Sequence, residues 1–212
     1  MNIGLNGKTE RFARGFSLVE LLVVISIIGL LAGLSSVAVS KAMESGKKAK
    51  AKGDLTAIVA AVKAYKQEYG RWPVGASKMD QASDEYNSWY GPPTAAADSK
   101  VLMKILSGDS SVTVEEVIMN PKGVRFLEGA AADGSFYDPW ADVDKKNPKD
   151  NHQYCVKMDT NDSGGLEYYN PAGGNAENIR VTVIALSLGK NGVQEDPDKK
   201  ATETCDDIFS WR

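Results

Sequence analysis

The stretch FARGFSLVELLVVISIIGLLAG, residues 12–33, decides how this chain is built. It opens a run from Phe16 to Ser40 in which Glu20 is the one charged side chain. A helix over this run would be about 37 Å long, which is enough to cross a hydrocarbon core of about 30 Å. A carboxylate in such a helix is costly and needs a partner or a purpose. The run therefore predicts a membrane-spanning segment, residues 16–40, with one functional carboxylate.

Three kinds of N-terminal segment have basic residues followed by a long apolar run. A cleavable secretory signal has an apolar core of about 7–15 residues and small residues at the cut, whereas this run is longer and lacks that cut site. An ordinary signal-anchor helix fits the length but gives the carboxylate no role. The third kind explains more residues, because the basic Lys8, Arg11 and Arg14 are followed directly by Gly15 and Phe16.

RGFSLVELLVV, residues 14–24, resembles the signal sequence of type IV prepilins and of the pseudopilins of type II secretion. In that family a prepilin peptidase cuts a basic leader after the glycine, and the new N-terminus is methylated. The resemblance implies that residues 1–15 are the leader, Gly15 its last residue and Phe16 the methylated N-terminus. It also implies that Glu20 neutralises the Phe16 amine of an adjacent subunit and so sets the axial register between subunits.

The helix is predicted to continue beyond the apolar run. Residues 41–70 form an amphipathic half, since their apolar side chains recur at helical spacing in one stripe that should pack on a head. That stripe consists of Leu55, Ile58, Val59, Val62, Tyr65 and Tyr69. Gly70 is expected to cap the helix and Pro73 to end it. The family commonly has a proline at the position of Val37, so no kink is expected there.

Residues 71–212 are predicted to form a globular head, which gives an α+β, pilin-like fold with a long N-terminal helix on a small antiparallel sheet. The turn-rich residues 75–100 are expected to be a loop. KVLMKILSG, residues 100–108, is expected to be a short helix whose buried face holds Val101, Leu102, Ile105 and Leu106. Strands are predicted at residues 153–158, 166–169 and 179–187, the last being the clearest because it is rich in Val, Thr and Ile.

Three further stretches resemble the major pseudopilin of type II secretion: YGRWP at 69–73, DPW at 138–140 and the C-terminal LSLGKNGVQEDPDKKATETCDDIFSW. In that protein the C-terminal loop binds calcium. The resemblance implies calcium ligands at Asn191, Asp206 and Asp207, completed by backbone carbonyls near Leu188 and Val193. Hard Ca²⁺ takes six to eight oxygens of this kind. Asn191 is neutral where the family has an aspartate, and the alternative is a solvated acidic loop with an Asn-Gly turn.

The two cysteines of the chain, Cys155 and Cys205, both lie in the head. An extracytoplasmic pair is expected to form a disulfide, and two buried thiols are the alternative. The sole histidine, His152, lies in the polar stretch KNPKDNHQ and is expected to be solvated. No nucleophile motif, phosphate loop or zinc spacing appears, so the chain is not expected to be an enzyme. A net charge of −3 suggests no nucleic-acid partner.

The residues and the resemblance together predict a structural subunit of a type II secretion pseudopilus. It would be a single-pass inner-membrane protein with a periplasmic head, and would polymerise with itself and with minor pseudopilins. Its partners would be the prepilin peptidase/methylase and the inner-membrane assembly platform. The lysines at 41–52 follow the apolar run, and the positive-inside rule alone would place this C-terminal flank of the run in the cytoplasm, opposite to the topology that the resemblance implies. The alternatives are a type IV pilus subunit for adhesion, motility or DNA uptake, and a membrane-anchored binding domain that never polymerises.

Overall fold

The computed structural model describes residues 16–75, 89–90, 96–141, 152–160, 162–168, 177–194 and 206–211. Its helices are α1, Leu18–Tyr69, and α2, Ala96–Leu106. Its strands are β1 Trp89–Tyr90, β2 Thr113–Val114, β3 Val117–Ile118, β4 Cys155–Met158, β5 Leu166–Tyr168, β6 Glu177–Ile179, β7 Val183–Ser187 and β8 Ile208–Phe209. The α+β, pilin-like layout predicted from the sequence is confirmed.

The chain divides after Ser45 into two compact units, and α1 contributes to both. In the first unit the apolar side chains that the structure describes are exposed, from Phe16 at 77% to Leu31 at 56%. This part of α1 is long and apolar enough to cross a membrane. Apolar residues all round a helix are the pattern of a segment surrounded by lipid or by other helices.

In the second unit, α1 buries one stripe. Leu55, Ile58, Val62 and Tyr65 are fully buried, and Val59 and Tyr69 pack half-buried against the same core, as the spacing predicted. The helix ends where expected: the Gly70 amide donates to the Lys66 carbonyl, and Gly70 has φ +67°, a conformation that suits glycine at a helix end.

The main sheet has the strand order β1-β4-β7-β8 and is antiparallel throughout. Because side chains alternate along a strand, Val156 and Ala185, which pair across β4 and β7, lie in the same core cluster as α1. The neighbouring pair Cys155 and Leu186 lies in a second cluster with Phe209 on the other face. The sheet is therefore covered on both faces.

The predicted strand at 179–187 is wrong in one respect, because it is two strands in two sheets. Its first residue, Ile179, ends β6, which pairs with β5, whereas its last five residues form β7, which pairs with β4. The break lies at Arg180–Thr182, where the Val181 amide bonds back to the Ile179 carbonyl and the Thr182 carbonyl accepts from the Asp159 amide.

Two other expectations about the head need correction. The stretch predicted as loop holds strand β1 and the first residues of α2. The helix at 100–108 exists, but its buried face is rotated: Val101 is 38% exposed, whereas Met103 is fully buried. The remaining predicted residues of that face, Leu102, Ile105 and Leu106, are buried as expected.

Candidate functional sites at the N-terminal helix and the C-terminal loop

The first turn of α1 holds the carboxylate that the sequence singled out. Ser17 immediately precedes the helix, and its amide donates to Glu20 Oε2 at 2.9 Å. Ser-x-x-Glu at a helix start is a capping box, in which the glutamate satisfies an amide that the helix leaves without a partner. The sequence analysis missed this local role, although the spacing alone would have revealed it.

Phe16 and Glu20 are both exposed at this end of the helix, and Gly15 with the rest of the leader lies outside the described residues. An acidic side chain also suits the positive end of the helix dipole. Glu20 thus has a modest interaction within its own chain and remains accessible to a cation from outside. This arrangement permits, without requiring, the intersubunit role that the resemblance implies.

The C-terminal loop brings together several of the predicted calcium ligands. The turn from Leu188 to Val193 meets Asp206, whose Oδ2 accepts the amides of Lys190 at 2.9 Å and Asn191 at 3.1 Å. The approach is close: a Cβ on Gly189, which has φ +61°, would lie 2.3 Å from the Asp206 carbonyl oxygen. Only glycine fits at this position without strain.

The oxygens of the loop fit a cation in part. The Leu188 carbonyl accepts the Gly192 amide, and Asn191 Oδ1 accepts the Val193 amide at 2.8 Å. Carbonyl and amide oxygens of this kind are also the ligands that Ca²⁺ prefers. Amide hydrogens already occupy one oxygen of Asp206, so this carboxylate closes the turn by hydrogen bonds.

Asp207 is placed differently from Asp206. Asp207 is 7% exposed. The pKa of the Cys155 thiol is raised mainly because the thiol is buried, and secondly because the negative charge of Asp207 is close to it. The charge of Asp207 thus affects Cys155, the first residue of strand β4. No group of three or more His, Cys, Asp or Glu side chains that could hold a metal occurs among the described residues. Cys155 itself is buried, while Cys205 falls outside the described part, so the disulfide stays a prediction.

A third cluster, which the sequence did not predict, surrounds Asp138 of the DPW turn. Its Oδ2 accepts the Ser187 hydroxyl at 2.7 Å, and its Oδ1 accepts the Trp140 amide at 3.1 Å and lies 3.1 Å from His152 Nδ1. The expectation that His152 is solvated is wrong, because its side chain is 9% exposed and paired with this carboxylate. The polar residues next to His152 in the sequence gave no sign of this, because its partner Asp138 lies 14 residues away in the chain.

This cluster combines serine, histidine and aspartate without the geometry of a hydrolase. In a catalytic triad the imidazole takes the proton of the serine hydroxyl and the aspartate orients the imidazole. Here the Ser187 hydroxyl and the His152 ring both bond to Asp138, so the carboxylate lies between them. The arrangement holds the turn against strand β7 and does not activate a nucleophile.

Comparison with known proteins gives two similarities, both covering part of the chain. The profile of the prokaryotic N-terminal methylation motif matches residues 11–36. Over 89 residues the chain is 34% identical to the type IV major pilin protein PilA of Myxococcus xanthus (strain DK1622). That match covers 42% of this chain and 40% of the relative's length. No solved structure gives a significant match.

Proposed function

We propose that the chain is a member of the type IV pilin-like family and serves as a structural subunit of a type II secretion pseudopilus. The observation that carries the proposal is the methylation motif at residues 11–36 on a helix whose apolar side chains are exposed. Such a helix is buried either by lipid or by the same helix of other copies. The resemblance of the DPW turn and of the C-terminal loop to those of the major pseudopilin supports a pseudopilus over other filaments.

The mechanism begins with the leader. A prepilin peptidase/methylase cuts between Gly15 and Phe16, and the cut turns the peptide nitrogen of Phe16 into a charged amine. In a bundle of apolar helices this amine and the carboxylate of Glu20 on a neighbouring copy attract each other strongly, at about 4 kcal/mol for 4 Å and an effective dielectric constant of about 20. Because a misaligned neighbour leaves both charges unpaired, the pair fixes the register of the helices.

The subunit then moves between two environments. Before assembly it is a single-pass inner-membrane protein with its head in the periplasm, and afterwards it is part of a periplasmic or extracellular filament. An inner-membrane assembly platform and minor pseudopilins are its proposed partners, together with further copies of itself. A growing filament would push exported proteins through an outer-membrane pore. The chain performs no chemistry of its own.

A type IV pilus subunit is the second candidate. The specific observation in its favour is the 34% identity to a type IV major pilin. Both candidates use the same motif and the same apolar helix. They differ in what the cell loses when the gene is removed, because a pseudopilus serves export and a pilus serves adhesion, motility or DNA uptake.

We propose in addition that the C-terminal loop binds calcium and that Cys155 and Cys205 form a disulfide. The convergence of Asp206 on the Leu188–Val193 turn supports the calcium site. A bound Ca²⁺ would add ionic bonds between chain segments that are far apart in sequence. The cysteines would close a loop of about 50 residues, which stabilises a fold by roughly 4 kcal/mol when the bond is unstrained.

Mass spectrometry of the N-terminal peptide, from protein isolated out of its native membranes, tests the proposal. A peptide that begins with N-methylated Phe16 is expected. A chain that still carries its leader would refute processing and leave a membrane-anchored binding domain that does not polymerise. Deletion of the gene then separates the two filaments: loss of exported proteins supports the pseudopilus, whereas loss of motility or adhesion with normal export supports the pilus.

A further inference from the structure

The stretch of α1 that follows the apolar run is strongly basic. Between residues 41 and 52 the chain has five lysines and one glutamate, a net charge of +4, although the whole chain has a net charge of −3. Three of these lysines, which we call the lysine belt, belong to the second unit of the chain: Lys47, Lys48 and Lys50. Such a concentration of positive charge beside an apolar helix attracts anionic surfaces.

The lysine belt differs from lysines further along α1 in having no partner in the chain. Lys52 donates to a backbone carbonyl of strand β8, and Lys66 pairs with Asp162. Two members of the belt are exposed and Lys47 is half-buried. Within the part of the chain that the structure describes, none of the three belt ammonium groups forms an ion pair or a hydrogen bond.

The carboxylates nearest to the belt along α1 do not neutralise it. Glu44 precedes Lys48 by four residues and Asp54 follows Lys50 by four, a spacing that allows ion pairs on a helix. Asp54 already accepts the Tyr154 hydroxyl at 2.7 Å. Exposed pairs at this spacing are weak, and two carboxylates do not cancel the five lysines of the stretch. The belt therefore keeps a positive charge that an anionic partner can use.

The distance from the apolar run places the belt near a membrane surface. The belt begins seven residues after Ser40, the last residue of the run, and ends ten residues after it. In a helix these residues cover about 10–15 Å. The head-group layer on each side of the hydrocarbon core is roughly 5–8 Å thick, and charges act through physiological salt over about 8 Å. Long lysine side chains also bend toward the interface, so the ammonium groups reach the head groups.

We propose that the lysine belt binds the anionic head groups of phospholipids at the membrane surface beside the apolar helix. The inference rests on the membrane-anchored state of the proposed function. The ammonium groups pair with lipid phosphates and fix the depth of α1 in the bilayer. Each lysine near an anionic surface strengthens attachment about fivefold, and three together do so on the order of a hundredfold. A subunit that leaves the membrane for a filament must break these contacts.

An acidic surface on a second copy of the chain is the other anionic partner that the belt could meet. That surface is available only after copies have associated, whereas lipid surrounds the subunit as soon as its apolar helix is inserted. The belt also directly follows the part of α1 whose exposed apolar side chains suit lipid. Both considerations favour lipid, and a single inserted copy is the state in which the two partners can be told apart.

Amine acylation of the full chain in lipid nanodiscs tests the proposal. The chain is reconstituted at one copy per disc, either in phosphatidylcholine alone or in equal parts of phosphatidylcholine and phosphatidylglycerol. Peptide mass spectrometry then gives the acylation rate of each lysine. The anionic discs should slow acylation of the belt lysines about fivefold, and salt at about 1 M should remove the effect, because the screening length falls to about 3 Å. Lys63, an exposed lysine further along the same helix, is the internal control and should react equally in both discs.

A charge-removing variant gives a second, independent measurement. Lys47→Gln, Lys48→Gln and Lys50→Gln are combined in one chain, and Lys63→Gln is the matched control. The readout is the share of phosphatidylglycerol among the lipids that remain bound when the chain is extracted with mild detergent. That share should fall in the triple variant and stay unchanged in Lys63→Gln.

Three results would overturn the proposal. The first is equal acylation of the belt lysines in the two kinds of disc. The second is slower acylation that appears only when several copies share a disc, whatever the lipid, which would make a second copy the partner. The third is an unchanged share of phosphatidylglycerol in the triple variant. Flotation of the discs reports insertion separately: a chain that does not float contradicts the proposed membrane anchoring itself, whereas a chain that floats without slowed acylation contradicts the belt alone.

Discussion

Replacing Glu20 separates its role as a helix cap from its proposed role as an ionic partner. Glu20→Gln keeps an oxygen that can accept the Ser17 amide, now at 2.9 Å, but removes the charge. Glu20→Ala removes both. The cap is an exposed hydrogen bond and contributes about 0.5–1.5 kcal/mol. The proposed intersubunit pair, taken at about 4 Å and an effective dielectric constant of about 20, would add a Coulomb attraction of about 4 kcal/mol for each subunit added.

The two contributions predict different outcomes for the two variants. Loss of about 4 kcal/mol per contact lowers the equilibrium constant for adding a subunit roughly a thousandfold. Both variants should therefore fail to assemble. Membrane insertion should be unharmed in both, because a neutral residue inserts more easily than a carboxylate, by about 2.5–3.5 kcal/mol near a helix centre.

The assay is quantitative recovery of sheared filaments from cells, with membrane-bound subunit and N-terminal processing measured in the same cells. Glu44→Gln is the matched control, since it removes a carboxylate of the same helix outside the apolar run. It should assemble normally. Normal filament yield in Glu20→Gln, with poor yield in Glu20→Ala, would show that the cap and not the charge is needed, and the reasoning on register would be wrong.

Three other predictions concern the head. Ile58→Ala should lower the free energy of unfolding by about 2–5 kcal/mol, because Ile58 is fully buried, whereas the exposed Lys63→Ala should change it little; chemical denaturation of the processed chain in detergent measures both. A calcium chelator should lower the melting temperature of the unaltered chain but not of Asp206→Ala, and equal melting curves with and without chelator would contradict the calcium site. Non-reducing peptide mapping should find Cys155 linked to Cys205, and two alkylated thiols in unreduced protein would exclude that bond.

The sequence predicted α1 well because a single physical rule governs it. Leu55, Ile58, Val62 and Tyr65 repeat at helical spacing, and a repeat over several turns cannot be satisfied by another structure. The helix end was equally local, since Gly70 adopts a conformation that glycine favours. Local rules of this kind need no knowledge of distant contacts.

Predictions in the head failed where distant contacts decide the structure. The residues at 179–187 read as one strand because their β propensity is continuous, but β5 and β4 pair with its two ends and divide it. His152 appeared solvated for the same reason: its neighbours in sequence are polar, yet its buried ring pairs with Asp138, which is 14 residues away in the chain. Tertiary context overrides propensity in such segments.

The cap at Glu20 also bears on the order of events in assembly. Before the leader is cut, the nitrogen of Phe16 is part of a peptide bond and offers no positive charge, so Glu20 has only the Ser17 amide as a described partner for its carboxylate. The proposed cleavage would create the amine, and a charged amine is a stronger partner than an amide for a carboxylate in an apolar bundle. An uncut subunit therefore lacks about 4 kcal/mol of the contact that a cut subunit gains. Under the proposed mechanism, the same carboxylate would disfavour polymerisation before cleavage and direct it afterwards, and peptidase processing would be the step that commits a subunit to the filament.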